Sequence, residues 1–331
     1  MKNIKRILSL ISAGVLAFSL TSCSLIEKTP EAIAKTVVAK VNGEKITKGE
    51  LDTEMTPVLK QIESQYGADY AKTADGIKLI KEQKLSMLDE LITNKLLAQK
   101  AVELKLMPSD TDLQKEIDTK FDEIKKAYTD DAAWKSALEQ AGFTEAKLKG
   151  YLKIQVINSK VSEYMVKDVT VTDAQINDYY QQHTMDYTEK TNTITLSHII
   201  VADENKANEL KKKLDAGSDF ATLAKENNTD GTKTSGGSLG TINQNTTDYD
   251  TTFMTAALLL KKGQTSPVIK SAYGYHIIRC TDRKDYPVKP LAKVKDSVKE
   301  TVLNTAKQTK YTDTLTKWKS AATIKKYEDK I

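Results

Sequence analysis

The chain has 331 residues, 29% of them charged, 39% apolar and 6% aromatic, with a formal net charge of +5 at pH 7. That length exceeds one ordinary core and predicts two domains. So polar a composition excludes a membrane bundle, basic residues scattered among acidic ones give no footing for nucleic-acid binding, and two cysteines cannot build a disulfide scaffold.

Residues 1–22 contain Lys2, Lys5 and Arg6, no acidic residue, and a 14-residue apolar run, Ile7–Leu20. The run is shorter than the roughly 20 residues a membrane-spanning helix needs and fits the apolar core of a signal peptide. Without those three cations the net charge drops from +5 to +2. The run ends in LTSC, and a small-residue pair before Cys23 resembles the lipobox of bacterial lipoproteins. The resemblance implies cleavage before Cys23 and a diacylglyceryl group on its sulfur, with an ordinary signal peptide or an uncleaved anchor as the alternatives. Two acyl chains at about 0.8 kcal/mol per buried CH₂ would make a stable anchor. Residues 24–35, polar and containing Pro30, read as a tether.

The stretch VVAKV predicts a strand, Asn42-Gly43 a tight turn, and Ile46 the returning strand. Thr47 with Glu50 is a capping box that opens a helix. Residues 77–107 predict one long amphipathic helix, with Leu85, Leu88, Ile92, Leu96 and Leu97 at three- and four-residue steps and Pro108 as its stop. Ser109 and Asp112 cap a further helix carrying Leu113, Ile117, Phe121, Ile124 and Tyr128. Residues 144–166 and 173–182 predict two more, the second opened by Thr172 and Gln175. Slim helices with few aromatics make a poor compact core, and an open cradle with exposed apolar surface suits a holder of unfolded chains. After YPVKP (286–290), Leu291, Val294, Val298 and Val302 start a helix towards Trp318, and AATIKKYE ends the chain in an extended stretch.

Between these helical regions lies a different pattern. TLSHIIV (195–201) and YGYHII (273–278) are apolar strands that each carry a histidine, and only three histidines exist: His183, His198 and His276. Between them lie LDAGSDFATLAKENN (214–228), GGSLG (236–240) and a helix-like run around Phe253. Cys280, in the second strand, reads as a small buried hydrophobe. The glycines most simply serve backbone turns, and no Lys-Ser or Lys-Thr pair follows them to make a phosphate loop.

Taken together, residues 191–283 resemble the parvulin family of peptidyl-prolyl isomerases. With VNGEKIT and the flanking helices, the whole chain resembles the PrsA-type foldase lipoproteins of Gram-positive bacteria. The resemblance implies paired strand histidines, His198 and His276, side by side in the floor of a site and hydrogen-bonded to a hydroxyl, here Ser271. It implies Asp230 as the acidic residue facing the substrate carbonyl. Leu239, Tyr249 and Phe253 would line a proline pocket. Asp230-Gly231 is by default a turn, and Leu239 and Phe253 would be apolar core in any reading. Ser238, Ile242 and Tyr249 depart from the family's Asp, aromatic and Met, and one residue is inserted between Ile242 and Phe253. These changes alter the pocket walls and bear on rate rather than fold. ADENKAN holds acidic residues and no arginine cluster, which argues against phosphoserine-proline recognition.

Prolyl isomerisation needs a dry site, an apolar slot and polar groups that favour the twisted amide. It needs no metal, cofactor or covalent nucleophile. The expected fold class is α+β. A helical chaperone domain, 36–190 plus 285–331, would carry an inserted parvulin domain, 191–283, with a four-stranded antiparallel sheet flanked by helices. The expected function is a lipid-anchored foldase on the outer face of the bacterial cytoplasmic membrane that holds unfolded or nascent secreted polypeptides and isomerises their X–Pro bonds. Two alternatives stand beside it: a non-enzymatic holdase with a degenerate parvulin domain, and a solute-receptor lipoprotein. The sequence leaves open whether the helical domain is a monomeric cradle or a homodimer.

Overall fold

The computed structural model describes residues 29–331, so Cys23 and the expected leader lie outside the described residues. Two compact units divide the chain. The first comprises the described part of Met1–Lys167 together with Tyr311–Ile331, and the second is Asp168–Lys310. Among the described residues no helix is long and apolar enough to cross a membrane.

The first unit opens with α1 (Pro30–Ala34), so the end of the stretch read as a tether is helical. Thr29 caps it by accepting from Ala32 N, and Pro30 brings a φ already suited to the first turn. β1 (Val37–Val41) and β2 (Glu44–Thr47) form a hairpin. Its turn has Asn42 at φ 50° and Gly43 at φ 90°, the positive pair that a two-residue hairpin demands. The C-terminal strand Ile324–Lys326 pairs antiparallel with the other edge of β1, completing a three-stranded sheet.

α2 (Lys48–Tyr66) starts on the Thr47–Glu50 capping box and contains Pro57. Proline has no N–H for the carbonyl four residues earlier. That carbonyl, on Thr53, accepts instead from Lys147 Nζ at 2.8 Å. α3 (Ala74–Glu103) stops five residues before Pro108. Lys105 takes φ 56°, and Leu106 N and Lys105 N reach back to the carbonyls of Ala101 and Val102. This is a Schellman ending with lysine where glycine is usual, and it closes over the contact between Leu106 and the core around Leu97 and Ala101.

α4 (Asp110–Lys126) is capped by Ser109 and α6 (Glu145–Val166) by Thr144. Between them lies α5 (Asp131–Ala141), which the sequence reading missed. Asp130 caps its start, Gly142 at φ 73° ends it, and its Trp134 is buried edge-on against Phe121. The apolar stripes pack as cores. Leu88, Ile92 and Leu96 lie against β1 and α2, while Leu113, Ile117 and Phe121 lie against Leu152 and Val156. Ile124 and Tyr128, the end of the α4 stripe, remain exposed.

The second unit begins with α7 (Asp173–Gln182), opened by the Thr172–Gln175 capping box. β3 (Thr193–Val201), α8 (Glu204–Asp215), α9 (Phe220–Asn227), β4 (Ser238–Asn243), α10 (Thr251–Leu258), β5 (Ile269–Ser271) and β6 (Gly274–Lys284) follow. The four strands form one antiparallel sheet in the order β4-β3-β6-β5, as expected. Strand alternation sorts the core into two faces. Ile194, Leu196, Ile278 and Cys280 meet α10, while Ile199, Val201 and Ile277 meet α8 and α9. Cys280 is fully buried, and burial pushes its thiol pKa up.

α11 (Leu291–Ala321) is shared between the units. Val298 is fully buried, with Leu291, Val294 and Val302, against Ile176 and Tyr180 of α7. α7 and residues 291–310 therefore belong to the sheet-bearing unit. The sequence expectation places the parvulin domain at 191–283 and the helical domain at 36–190 plus 285–331.

Candidate active site

In the β3–β6 register His198 stands opposite Ile278, and His276 opposite Ile200. The two histidines are therefore diagonal neighbours on one face, within reach of each other. Their Nδ1 atoms lie 3.3 Å apart, and the two residues are 6% and 5% exposed. The face they share is the one covered by α10. Asp250 fixes the start of that helix by accepting from Thr252 N and Phe253 N. Phe253 is thereby held edge-on to both imidazoles, with centroids 5.9 Å from His198 and 5.3 Å from His276.

Beyond Ser197, β4 no longer pairs with β3. His198 N still donates to Gly237 O, at 2.8 Å. A Cβ on Gly237 would lie 2.1 Å from His198 O, and its φ is 78°, so only glycine serves there. Further along this edge the side chain of Asn228 replaces the missing strand. Its Oδ1 accepts from Ile200 N at 3.1 Å, and its Nδ2 donates to His198 O at 3.0 Å. The loop after α9 is thus stitched to the strand that bears the first histidine.

That loop delivers Asp230. Its Oδ1 accepts from Thr232 N at 3.1 Å, the bond of a local turn, while Oδ2 lies 3.0 Å from His198 Nε2. The turn reading and the site reading of Asp230-Gly231 are both satisfied, one by each carboxylate oxygen. At the other end Ser271 Oγ accepts from Tyr273 N at 3.0 Å and lies 2.7 Å from His276 Nε2.

These contacts dictate where the ring protons sit. Asp230 can only accept, so His198 carries its proton on Nε2 and presents a bare Nδ1. His276 must then donate from Nδ1, which leaves its Nε2 to accept from Ser271. The line runs in one direction: Ser271 to His276 to His198 to Asp230. Reversing it would require a charged imidazolium at His198, which burial disfavours.

The electrostatics agree. Burial lowers the pKa of His276 to about 4, helped by its neighbour His198. Burial also lowers that of His198, against the opposing pull of Asp230. Burial would raise the Asp230 pKa, but hydrogen bonds from Thr232 and the proximity of His198 outweigh it and keep the carboxyl below its ordinary value. At neutral pH the floor holds two neutral imidazoles and one carboxylate, whose side chain is 34% exposed.

The structure brings His198, Asp230, Ser271 and His276 into this one network. Leu239, Ile242 and Tyr249 gather with Phe253 on the same face, and Tyr249 stacks on Phe253 with centroids 5.7 Å apart. Two members of the network were missed by sequence reading, Asn228 and Thr232. Thr232 Oγ1 donates to Asp230 Oδ1 at 2.6 Å, accepts from Asn228 Nδ2 at 2.9 Å and lies 3.2 Å from His198 Nε2. A threonine immediately after the Asp-Gly pair was the available signal.

Residues 171–296 match the PPIC-type PPIASE domain family, and residues 1–162 match the SurA-like N-terminal domain family. The chain is 44% identical over 335 residues to the foldase protein PrsA of Clostridium botulinum strain Langeland, covering 100% of both. It is 44% identical over 340 residues to the foldase protein PrsA of Clostridium kluyveri, again with 100% coverage of both. A peptidylprolyl isomerase (PrsA) from Bacillus anthracis, known as a crystal structure, shares 32% identity, covering 70% of this chain and 96% of that one with a TM-score of 0.41. On the strength of the full-length Clostridium relatives, the chain belongs to the PrsA foldases, and it is a parvulin-type peptidyl-prolyl cis-trans isomerase.

Proposed function

We propose that this isomerase acts outside the cell membrane, tethered by a lipid on Cys23, on unfolded secreted polypeptides that its helical unit holds. His198, Asp230, Ser271 and His276 form the polar floor of the catalytic site, Leu239 and Phe253 take the proline ring, and Tyr249 is the pocket wall stacked over Phe253. The observation that carries this reading is the Nδ1–Nδ1 approach of 3.3 Å beneath Phe253, with an ionised Asp230 at its open end.

The chemistry follows from the amide. In the planar X–Pro bond, resonance places negative charge on the carbonyl oxygen, and twisting removes it. A carboxylate facing that oxygen raises the planar state more than the twisted one, which is differential stabilisation of the transition state. The neutral histidines hold Asp230 in place without adding a cation that would cancel its field. The surrounding apolar side chains exclude water and so strengthen it.

Holding of clients is supported by an apolar groove of about 450 Å³ within the first unit, lined among others by Pro57, Met87, Leu91, Phe143, Tyr151 and Ile154. Tyr151 and Ile154 are 49% and 39% exposed there.

The test of the catalytic reading is cis/trans exchange of a proline tetrapeptide. The wild type should accelerate exchange, and His198→Ala should lose at least about tenfold of that acceleration, about 1.4 kcal/mol of barrier. Equal rates in the two proteins would overturn the site. Cys23→Ala should move the protein from the membrane fraction to the medium, and unchanged fractionation would remove the lipid anchor from the reading.

A further inference from the structure

Thr232 occupies a position in the network that the isomerase reading does not require. Its hydroxyl has one proton and two lone pairs, and three neighbours compete for them. Asp230 Oδ1, at 2.6 Å, can only accept, so the proton goes there. The amide of Asn228 is oriented by Ile200 N, which donates to its Oδ1, so Nδ2 faces Thr232 as a donor at 2.9 Å. One lone pair is thereby taken. What remains towards His198 Nε2, at 3.2 Å, is the second lone pair.

Thr232 therefore shows the imidazole an acceptor and never a donor. It also grips the carboxylate oxygen that does not face the ring, leaving Oδ2 aimed at Nε2. The side chain itself is held from behind by Asn228, which is bonded to the backbone of the very strand that carries His198. A rigid path thus runs from the β3 backbone through Asn228 and Thr232 to both the ring and the carboxylate. The β-branched side chain of threonine adds stiffness at χ1.

We propose that Thr232 is a positioning residue of the isomerase. By holding Oδ2 of Asp230 on Nε2 and adding a second acceptor there, it keeps His198 in the Nε2–H tautomer that Asp230 sets, and it fixes the direction in which the carboxylate faces the substrate. This rests on the site reading given above. Thr232 has no role in binding the proline ring, so its loss affects turnover and leaves affinity alone.

With only three histidines in the chain, ¹⁵N-histidine labelling of the full-length protein yields three imidazoles to assign, each by its own His→Asn variant. In the wild type His198 should show the signature of the Nε2–H tautomer. In Thr232→Val its two ring nitrogens should move towards each other as the tautomers mix, and kcat on the tetrapeptide should fall about tenfold. KM should stay within about twofold, because the apolar slot is untouched. Thr232→Ser, which restores the hydroxyl, should recover both ring signals and kcat.

Wild-type turnover in Thr232→Val, unmoved His198 signals, or a serine variant as impaired as the valine variant would each overturn the proposal. If the valine variant does not fold, Thr232→Ala takes its place with the same expected shifts, and an Nδ1–H tautomer at His198 in the wild type contradicts the assignment outright. His198→Ala in the same assay separates the two levels. Full activity there sinks the site reading itself, whereas an inactive alanine variant beside an unaffected valine variant sinks only Thr232.

Discussion

His198 Nδ1 lies 3.3 Å from His276 Nδ1 across the β3–β6 ladder, a distance that accommodates one proton between the two nitrogens and not two. Protonating His198 would set two N–H groups face to face. Protonating His276 would turn Ser271 from donor to acceptor.

Acid should therefore loosen this unit. Both histidines have folded pKa values below the ordinary 6.5, about 4 for His276. Below 6.5 the unfolded chain takes up protons that the fold refuses, so stability rises with pH there. The contribution of these rings is complete above about pH 6.5 and is lost as pH falls towards about 4. Calorimetry from pH 7 to 4.5 should show the Tm of the isomerase unit falling, and isomerase turnover should decline over the same window. A Tm that is flat across it would contradict neutral, buried imidazoles.

Tyr249 should hold the rate down. Phe253 is 2% exposed, with the ring of Tyr249 stacked over it, so a proline approaching Phe253 must first displace that ring. A stacked aromatic pair is worth about 0.5–1.5 kcal/mol beyond area burial. Tyr249→Met removes that contact and keeps an apolar wall. Its kcat/KM on a proline tetrapeptide should rise several-fold, and a fall would make the tyrosine part of the productive pocket.

Asn228→Ala should cost stability out of proportion to its size. It leaves Ile200 N–H and His198 C=O without partners on a buried strand. An unsatisfied buried group costs about 1–3 kcal/mol, so the pair should cost about 2–6 kcal/mol in denaturant unfolding of the isomerase unit. A loss below about 1 kcal/mol would mean that the amide is not serving as a strand.

The groove of the helical unit should be separable from catalysis. Tyr151→Glu with Ile154→Glu places two charges on an exposed apolar lining while leaving the cores intact. Suppression of aggregation of an unfolded client should weaken about tenfold in the concentration required. Tetrapeptide isomerisation, which needs only the other unit, should not change. Undiminished protection would locate client holding elsewhere.

Much of the secondary structure could be read from local chemistry. The Thr47–Glu50 and Thr172–Gln175 capping boxes mark helix starts by a bond that spans three residues, so neighbours in sequence suffice. The apolar stretch TLSHIIV likewise announced the strand that carries His198. One difference lies where the expected residue type is absent. Lys105 ends α3 in a conformation usually left to glycine, so Pro108 was taken for the stop. α5 was passed over although Asp130 and Gly142 bracket it.

The order of residues, through the family it resembles, singled out two strand histidines, a serine and an acid in a loop beside them, and which helices would flank the sheet. Only the tertiary structure decided how their protons run. That direction depends on Asp230, which can only accept, and on Thr232, whose hydroxyl gives its proton to Asp230 and one lone pair to Asn228 and so turns an acceptor towards His198. Hydrogen bonds are directional over about 3 Å, whereas sequence patterns report burial and periodicity, which are indifferent to where a proton sits.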